Sequence, residues 1–213
     1  MTFAELVLHL LEWIGVVAFA ISGAMAAIHK RVDLFGVLLM GVITALGGGV
    51  VRDTLLGELP PRMFATPEFV LVAALTAAVV FLIAKRFKRQ FRDRAALIES
   101  INNVFDAVGL GAFTVTGARV AMAAGHDGAF FVICLGVITG IGGGVLRDIM
   151  IQEIPMVLRK HIYAVASILG GCVYFYSIRL GVNGTLAAFV SVLIVFTIRL
   201  MATLFRWNLP RAE

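Results

Sequence analysis

"ITALGGGVVRD", Ile43 to Asp53, and "ITGIGGGVLRD", Ile138 to Asp148, are one phrase written twice, 95 positions apart. Extending that register outward, Phe35 to Pro60 against Phe130 to Pro155, keeps Phe, Val, Gly, Val, Ile, Thr, the three Gly, Val, Arg, Asp, Glu and Pro. These are 14 of 26 positions, more than shared apolar composition produces. Upstream, "GVVAFAISGA" from Gly15 aligns with "GLGAFTVTGA" from Gly109 at an offset of 94, one residue of loop length explaining the change. The chain is an internal duplication.

What duplicates is a membrane segment. With 61% hydrophobic and 15% charged residues in 213, and a mean hydropathy of +1.00, the chain lies outside the range of soluble domains. A bilayer core about 30 Å thick takes about 20 apolar residues per helix, and the runs here are too long and continuous for barrel strands. Seven spans are predicted: Leu6 to Ile28, Leu34 to Leu56, Phe69 to Ala84, Ile101 to Ala123, Ala129 to Ile151, Ile162 to Leu180 and Thr185 to Phe205. Glu5 and Glu12 stand where a secretory signal would begin basic, so the first span is expected to be retained. Three spans per copy is an odd number, so the second copy enters the bilayer from the opposite side. The expected fold is an all-α integral membrane protein of two inverted three-helix repeats, residues 1–98 and 99–181, plus a seventh helix and cytoplasmic tail, 182–213, in one membrane domain. Inverted repeats of this kind place their sites near the bilayer midplane.

Charge gives the orientation. The net charge is +5, and "KRFKRQFRDR", Lys85 to Arg94, marks a cytoplasmic loop. Following the chain from it puts Lys30, Arg31, Lys85, Arg86, Lys88, Arg89, Arg92, Arg94, Arg159, Lys160, Arg206 and Arg211 inside, with Arg62 and Arg179 outside. The N-terminus is then external and the C-terminus cytoplasmic, with anionic headgroups as partners of the inner face. No soluble module carries a basic face, which excludes nucleic acid. Nothing outside the spans is large enough for an ATPase. Cys134 and Cys172 read as packing residues, and His9, His29, His126 and His161 are scattered, so neither a disulfide framework nor a metal site is expected. The glycine segment lacks the Walker ending and GxGxxG spacing. No nucleophile, base and orienting group converge, so the expectation is no enzyme and no cofactor.

Gly47, Gly48 and Gly49, with Gly142, Gly143 and Gly144, each cost a helix about 1 kcal/mol relative to alanine. One reading is a break in each helix: the freed carbonyls of Ile43 to Leu46 and Ile138 to Ile141 meet at similar depth and offer oxygen to a cation. Thr44 and Thr139 then serve as hydroxyl ligands, and Ser22 and Thr116, themselves repeat-related, line the path. The other reading is close helix packing, for which "GVITG", Gly136 to Gly140, supplies a GxxxG pattern. Arg52, Asp53, Arg147 and Asp148 are costly in lipid and should face protein or water, as anchors and ion pairs or as charged vestibules at opposite mouths. Asp53 and Asp148 are placed in the first turn after each break. Glu12 and Asp106, repeat-related in opposite leaflets, join them as mouth residues, and Arg119 and Arg199 are intramembrane arginines that either pair, snorkel or carry gating charge.

The doubled "GGGVVRD" and "GGGVLRD" in a three-plus-three-plus-one arrangement resembles the prokaryotic branch of the trimeric intracellular cation (TRIC) channels, also known under a bacterial "glycine transporter" domain name. The resemblance covers nearly the whole chain. It implies a homotrimer in the bacterial inner membrane, a pore within each subunit beside the glycines of spans two and five, and permeant K+ or Na+. Animal members carry a lysine-containing motif where this chain has Arg52 and Asp53, so phosphoinositide binding and calcium-linked gating are not carried over. The expected function is a passive potassium-permeable channel. The rivals are a secondary transporter of a small zwitterion such as glycine, its carboxylate held by amides and Arg52 or Arg147, and an assembly protein that transports nothing.

Overall fold

The structure is a computed structural model that describes residues 3–88, 94–159, 162–205 and 207. Arg89, Arg92, Lys160, His161, Arg206 and Arg211 lie outside the described residues. The described chain is helical throughout: α1 (Phe3–His29), α2 (Leu34–Leu56), α3 (Arg62–Ala65), α4 (Pro67–Arg86), α5 (Ala95–Ala123), α6 (Ala129–Met150), α7 (Met156–Arg159), α8 (Ile162–Arg179) and α9 (Gly184–Leu204). Seven of them, all but α3 and α7, are long and apolar enough to cross a membrane. Their ends fall within three residues of the expected ones except at α5, which begins six residues before Ile101. Its first turns carry Glu99 and Ser100, and Ala96, Leu97, Glu99 and Ser100 are exposed.

The duplication is visible down to single backbone bonds. Glu58 N donates to Asp53 O at 2.9 Å where α2 ends, and Glu153 N donates to Asp148 O at 2.8 Å where α6 ends. The αL residue that closes each of these helices is Gly57 (φ 73°) in one copy and Gln152 (φ 58°) in the other. After α1 and α5 the same position is Arg31 (φ 59°) and Gly125 (φ 86°). Two four-residue helices that hydropathy does not reveal, α3 and α7, also start 94 residues apart, each directly after a proline.

Within the bundle α1 packs on α2, α4 and α5, and α5 packs on α6, α8 and α9, while α2 crosses α6 at the centre. Phe19 and Phe113, repeat mates at the 94 offset, pack against each other with ring centroids 5.2 Å apart and planes tilted by 45° beside that crossing. Leu71, Leu75, Leu82, Phe189 and Leu193 are exposed on α4 and α9, an apolar rim suited to lipid. The seventh spanning helix, α9, has no repeat mate. It lies along α5 and α8, on one side of the pseudosymmetric core only.

Candidate functional site

The two glycine triplets face one another, as the repeat symmetry requires, but neither helix is broken. α2 and α6 are each continuous through their triplet. A Cβ on Gly48 would run into the carbonyl oxygen of Thr139, and one on Gly143 into that of Thr44; a Cβ on Gly142 would lie 3.0 Å from Gly48 Cα. Missing side chains therefore let two intact backbones touch, which is the packing reading. The opened-helix expectation for Gly47, Gly48, Gly49, Gly142, Gly143 and Gly144 is corrected: an unbroken helix keeps its carbonyls in its own ladder and frees none for an ion. Thr44 and Thr139 lie one turn before this crossing, buried on α2 and α6. Their hydroxyls donate to Met40 O and Leu135 O, 2.6 Å in both cases, the usual solution for a hydroxyl in an apolar interior. Their side chains fill the spaces left by Gly23 and Gly117, another pair of repeat mates.

Arg52, Asp53, Arg147 and Asp148 are all buried, at 5% exposure or less. Asp53 and Asp148 do not follow a break; they sit in the closing turns of continuous helices, and each carboxylate does two jobs. Oδ1 accepts from its neighbouring arginine Nε at 2.8 Å in both copies. Oδ2 accepts the first amide of the next short helix, from Arg62 N at 2.9 Å and from Met156 N at 2.7 Å. The aspartate thus latches α3 or α7 to the arginine, and its charge offsets the positive helix start.

Beyond this shared latch the copies part. In the second, Arg147 Nη1 donates to Ser22 Oγ at 2.6 Å and to Asp106 Oδ1 at 2.9 Å, tying α6 to α1 and α5. The other Asp106 oxygen lies 3.4 Å from Arg199 Nη2 of α9, and the Arg199 guanidinium rests 4.4 Å from the centre of the Tyr163 ring. In the first, Glu12, Arg52, Asp53, Arg62 and Gly49 border a pocket of about 30 Å³, room for a water or two. Among the described residues no ion pair joins Arg52 to Glu12. Thr116, the mate of Ser22, is buried on α5. Arg119 stands apart, partly exposed and about 20 Å along α5 from Asp106.

Tyr163 and the pairing of Arg199 are what the sequence reading missed. A lone intramembrane arginine demands a partner, but the spans hold Glu12, Asp53, Asp106 and Asp148, and nothing in the sequence says that α9 folds beside α5. At the rim, in the link after α6, Lys30 Nζ meets Glu153 Oε1 at 2.8 Å. That hydrogen bond, with the Arg159 charge behind it, holds the Glu153 carboxyl below its ordinary range.

The family model described as "Glycine transporter" matches the chain twice, over residues 9–85 and 103–179, starts that are again 94 apart. The UPF0126 inner membrane protein YadS of Escherichia coli K12 is 37% identical over 207 residues, covering 96% of this chain and 94% of that one. A UPF0126 membrane protein of Vibrio cholerae is 37% identical over 202 residues, 95% of this chain and 80% of its own. Among solved structures, a prokaryotic TRIC channel in 0.5 M KCl superposes with a TM-score of 0.86 at 36% identity, over 96% of this chain and all of that one. A TRIC cation channel solved to explain conductance gives 0.82 at 37% identity, over all of this chain and 98% of its own. The TRIC orthologue of Rhodobacter sphaeroides gives 0.85 at 32%, over 94% and 99%. Sequence, repeat register and fold agree over the full length, and the chain belongs to the prokaryotic TRIC family, whose domain carries the description "Glycine transporter".

Proposed function

We propose that the protein is a channel for monovalent cations, permeable to potassium, assembled as a homotrimer in the bacterial inner membrane with the Lys85 side facing the cytoplasm. Each subunit conducts on its own, along the seam between α1, α2, α5 and α6. The observation that carries this reading is that seam: Glu12 and Arg52 buried at one end, Asp106, Ser22 and Arg147 at the other, with the glycine crossing between. A bundle with no path to line has no reason to bury so many charges at several kcal/mol each. The solved relatives described as cation channels support the same assignment.

In this conformation one half of the path is closed by Arg147, whose bonds to Ser22 and Asp106 fill the position a passing cation would take. Opening requires those two bonds to break while Asp148 keeps Arg147 paired. Purified protein in planar bilayers under asymmetric KCl tests the proposal. Discrete current steps reversing near the potassium potential are expected. Silence together with saturable glycine exchange in vesicles would favour the carrier, and silence in both would leave an assembly role.

A further inference from the structure

Asp106 is shared between two arginines that are held in different ways. Arg147 reaches it from the path side and also bonds Ser22 across the seam. Arg199 reaches its other oxygen from α9, 2% exposed and stacked on Tyr163, on a helix that packs against α5 and α8 rather than α2. Two polar atoms of this back wall, Arg199 Nε and Tyr163 Oη, are buried without a hydrogen-bond partner among the described residues. The Tyr163 hydroxyl also borders Gly144, where a Cβ would lie 3.0 Å from it and 3.8 Å from Asp106 Oδ1. The back wall thus keeps bonding capacity in reserve next to Asp106.

We infer that Arg199 is the permanent partner of Asp106 and Arg147 the exchangeable one, so that the seventh spanning helix sets how readily Arg147 leaves the path. The inference rests on the channel reading of the same site. When Arg147 swings away, a lone Asp106 would be an uncompensated buried charge, which is costly. Arg199 keeps it neutralised and the Tyr163 hydroxyl turns to it. Remove Arg199 and Arg147 becomes the sole counter-charge, so the closed arrangement tightens. Arg199 is then a positioning residue, acting on the path through Asp106.

Single-channel recording of the full-length protein tests this. Arg199→Gln should lower open probability about tenfold, an ordinary size for coupling between sites, with unit conductance unchanged. Arg199→Lys, which keeps the charge, should recover most of the loss, and Arg199→Gln on an Arg147→Gln background should have no effect. Open probability that rises or stays level in Arg199→Gln, or falls equally on the Arg147→Gln background, overturns the inference. If Arg199→Gln does not assemble, Tyr163→Leu frees Arg199 from its stack and should shift opening in the same direction by less; no shift overturns it equally. A second readout does not need current. With Cys134 and Cys172 replaced by alanine, a Ser22→Cys reporter reacts with a charged thiol reagent only while Arg147 is away, and Arg199→Gln should slow that reaction about tenfold. Equal rates overturn the inference, whereas slowed labelling beside a silent wild type would sink conduction alone.

Discussion

The Arg-Asp pair of α2 and that of α6 come from one phrase of sequence and make the same internal bond, 2.8 Å from arginine Nε to aspartate Oδ1. Arg147 nevertheless ends in a buried network with Ser22 and Asp106, backed by Arg199, while Arg52 ends beside a small pocket and an unbridged Glu12. The duplication therefore supplies a scaffold and a latch, and the copies differ in unequal mates, Ser22 against Thr116 and Asp106 against Glu12, and in what was not duplicated. α9 brings Arg199 to one half only. The comparison breaks most visibly at the acidic mates. Asp106→Asn strips the counter-charge from buried Arg199, leaves Arg147 with Asp148 alone, and should destabilise the protein by about 3–5 kcal/mol. Glu12→Gln removes a buried carboxylate that has no ion-pair partner among the described residues, and should be neutral or stabilising. Thermal unfolding in detergent at neutral pH checks both; equal losses would mean that the halves are closed alike.

The crossing comes next in size, and there the halves should behave the same way. Gly48→Ala and Gly143→Ala each drive a methyl into the other helix's threonine carbonyl and should cost about 1–3 kcal/mol by overpacking, despite alanine's better helix propensity. Gly49→Ala, whose methyl would meet only Arg52 Nη2 at 3.7 Å, should cost nothing in packing and gain about 1 kcal/mol. If all three substitutions stabilise alike, the backbones do not touch at the triplets and a looser crossing must be considered.

This contrast also shows where the sequence was legible. Hydropathy located the seven spans because lipid demands long apolar runs, and the repeat register put Gly48 opposite Gly143 because symmetry alone requires it. Whether three glycines open a helix or let one approach another depends on the facing surface, which no local pattern reports. Asp53 and Asp148 were marked by the cost of burying charge, yet their latch onto Arg62 N and Met156 N was hidden because four-residue helices leave no periodic trace. The repeated Pro60 and Pro155 were the available signal. Its place in an apolar span marks Arg199 as an intramembrane cation, whereas its partner depends on the tertiary packing of an unrepeated helix.

A smaller effect lies at the helix ends, where the copies differ by a single side chain at an αL position. Gln152 occupies the conformation that its mate Gly57 takes without a Cβ, φ 58° against 73°. Gln152→Gly should therefore stabilise by about 1 kcal/mol, and Gly57→Ala should lose a similar amount. Denaturant midpoints of the two variants sharpen the comparison, because opposite signs at mate positions are what a shared backbone with unequal residues predicts.

The smallest expected difference is at the rim, where Glu153 bridges Lys30 and its mate Glu58 makes no such pair among the described residues. The folded-state pKa of Glu153 is depressed below its ordinary 4.5, chiefly by the hydrogen bond from Lys30; burial opposes this as the next largest effect, and the charges of Lys30, Arg159 and His29 add to the depression. A depressed carboxylate contributes stability that is fully present above the ordinary value and is lost as pH falls through the folded one. Because the pair is more than a third exposed, solvent screening keeps that contribution under about 1 kcal/mol. Wild type should therefore unfold slightly above Glu153→Gln at pH 7, and the gap should close as the pH is taken below 4.5. Glu58→Gln should leave no gap at either pH. A gap that widens on acidification would mean that Glu153 is held in its neutral form and that Lys30 is not its partner.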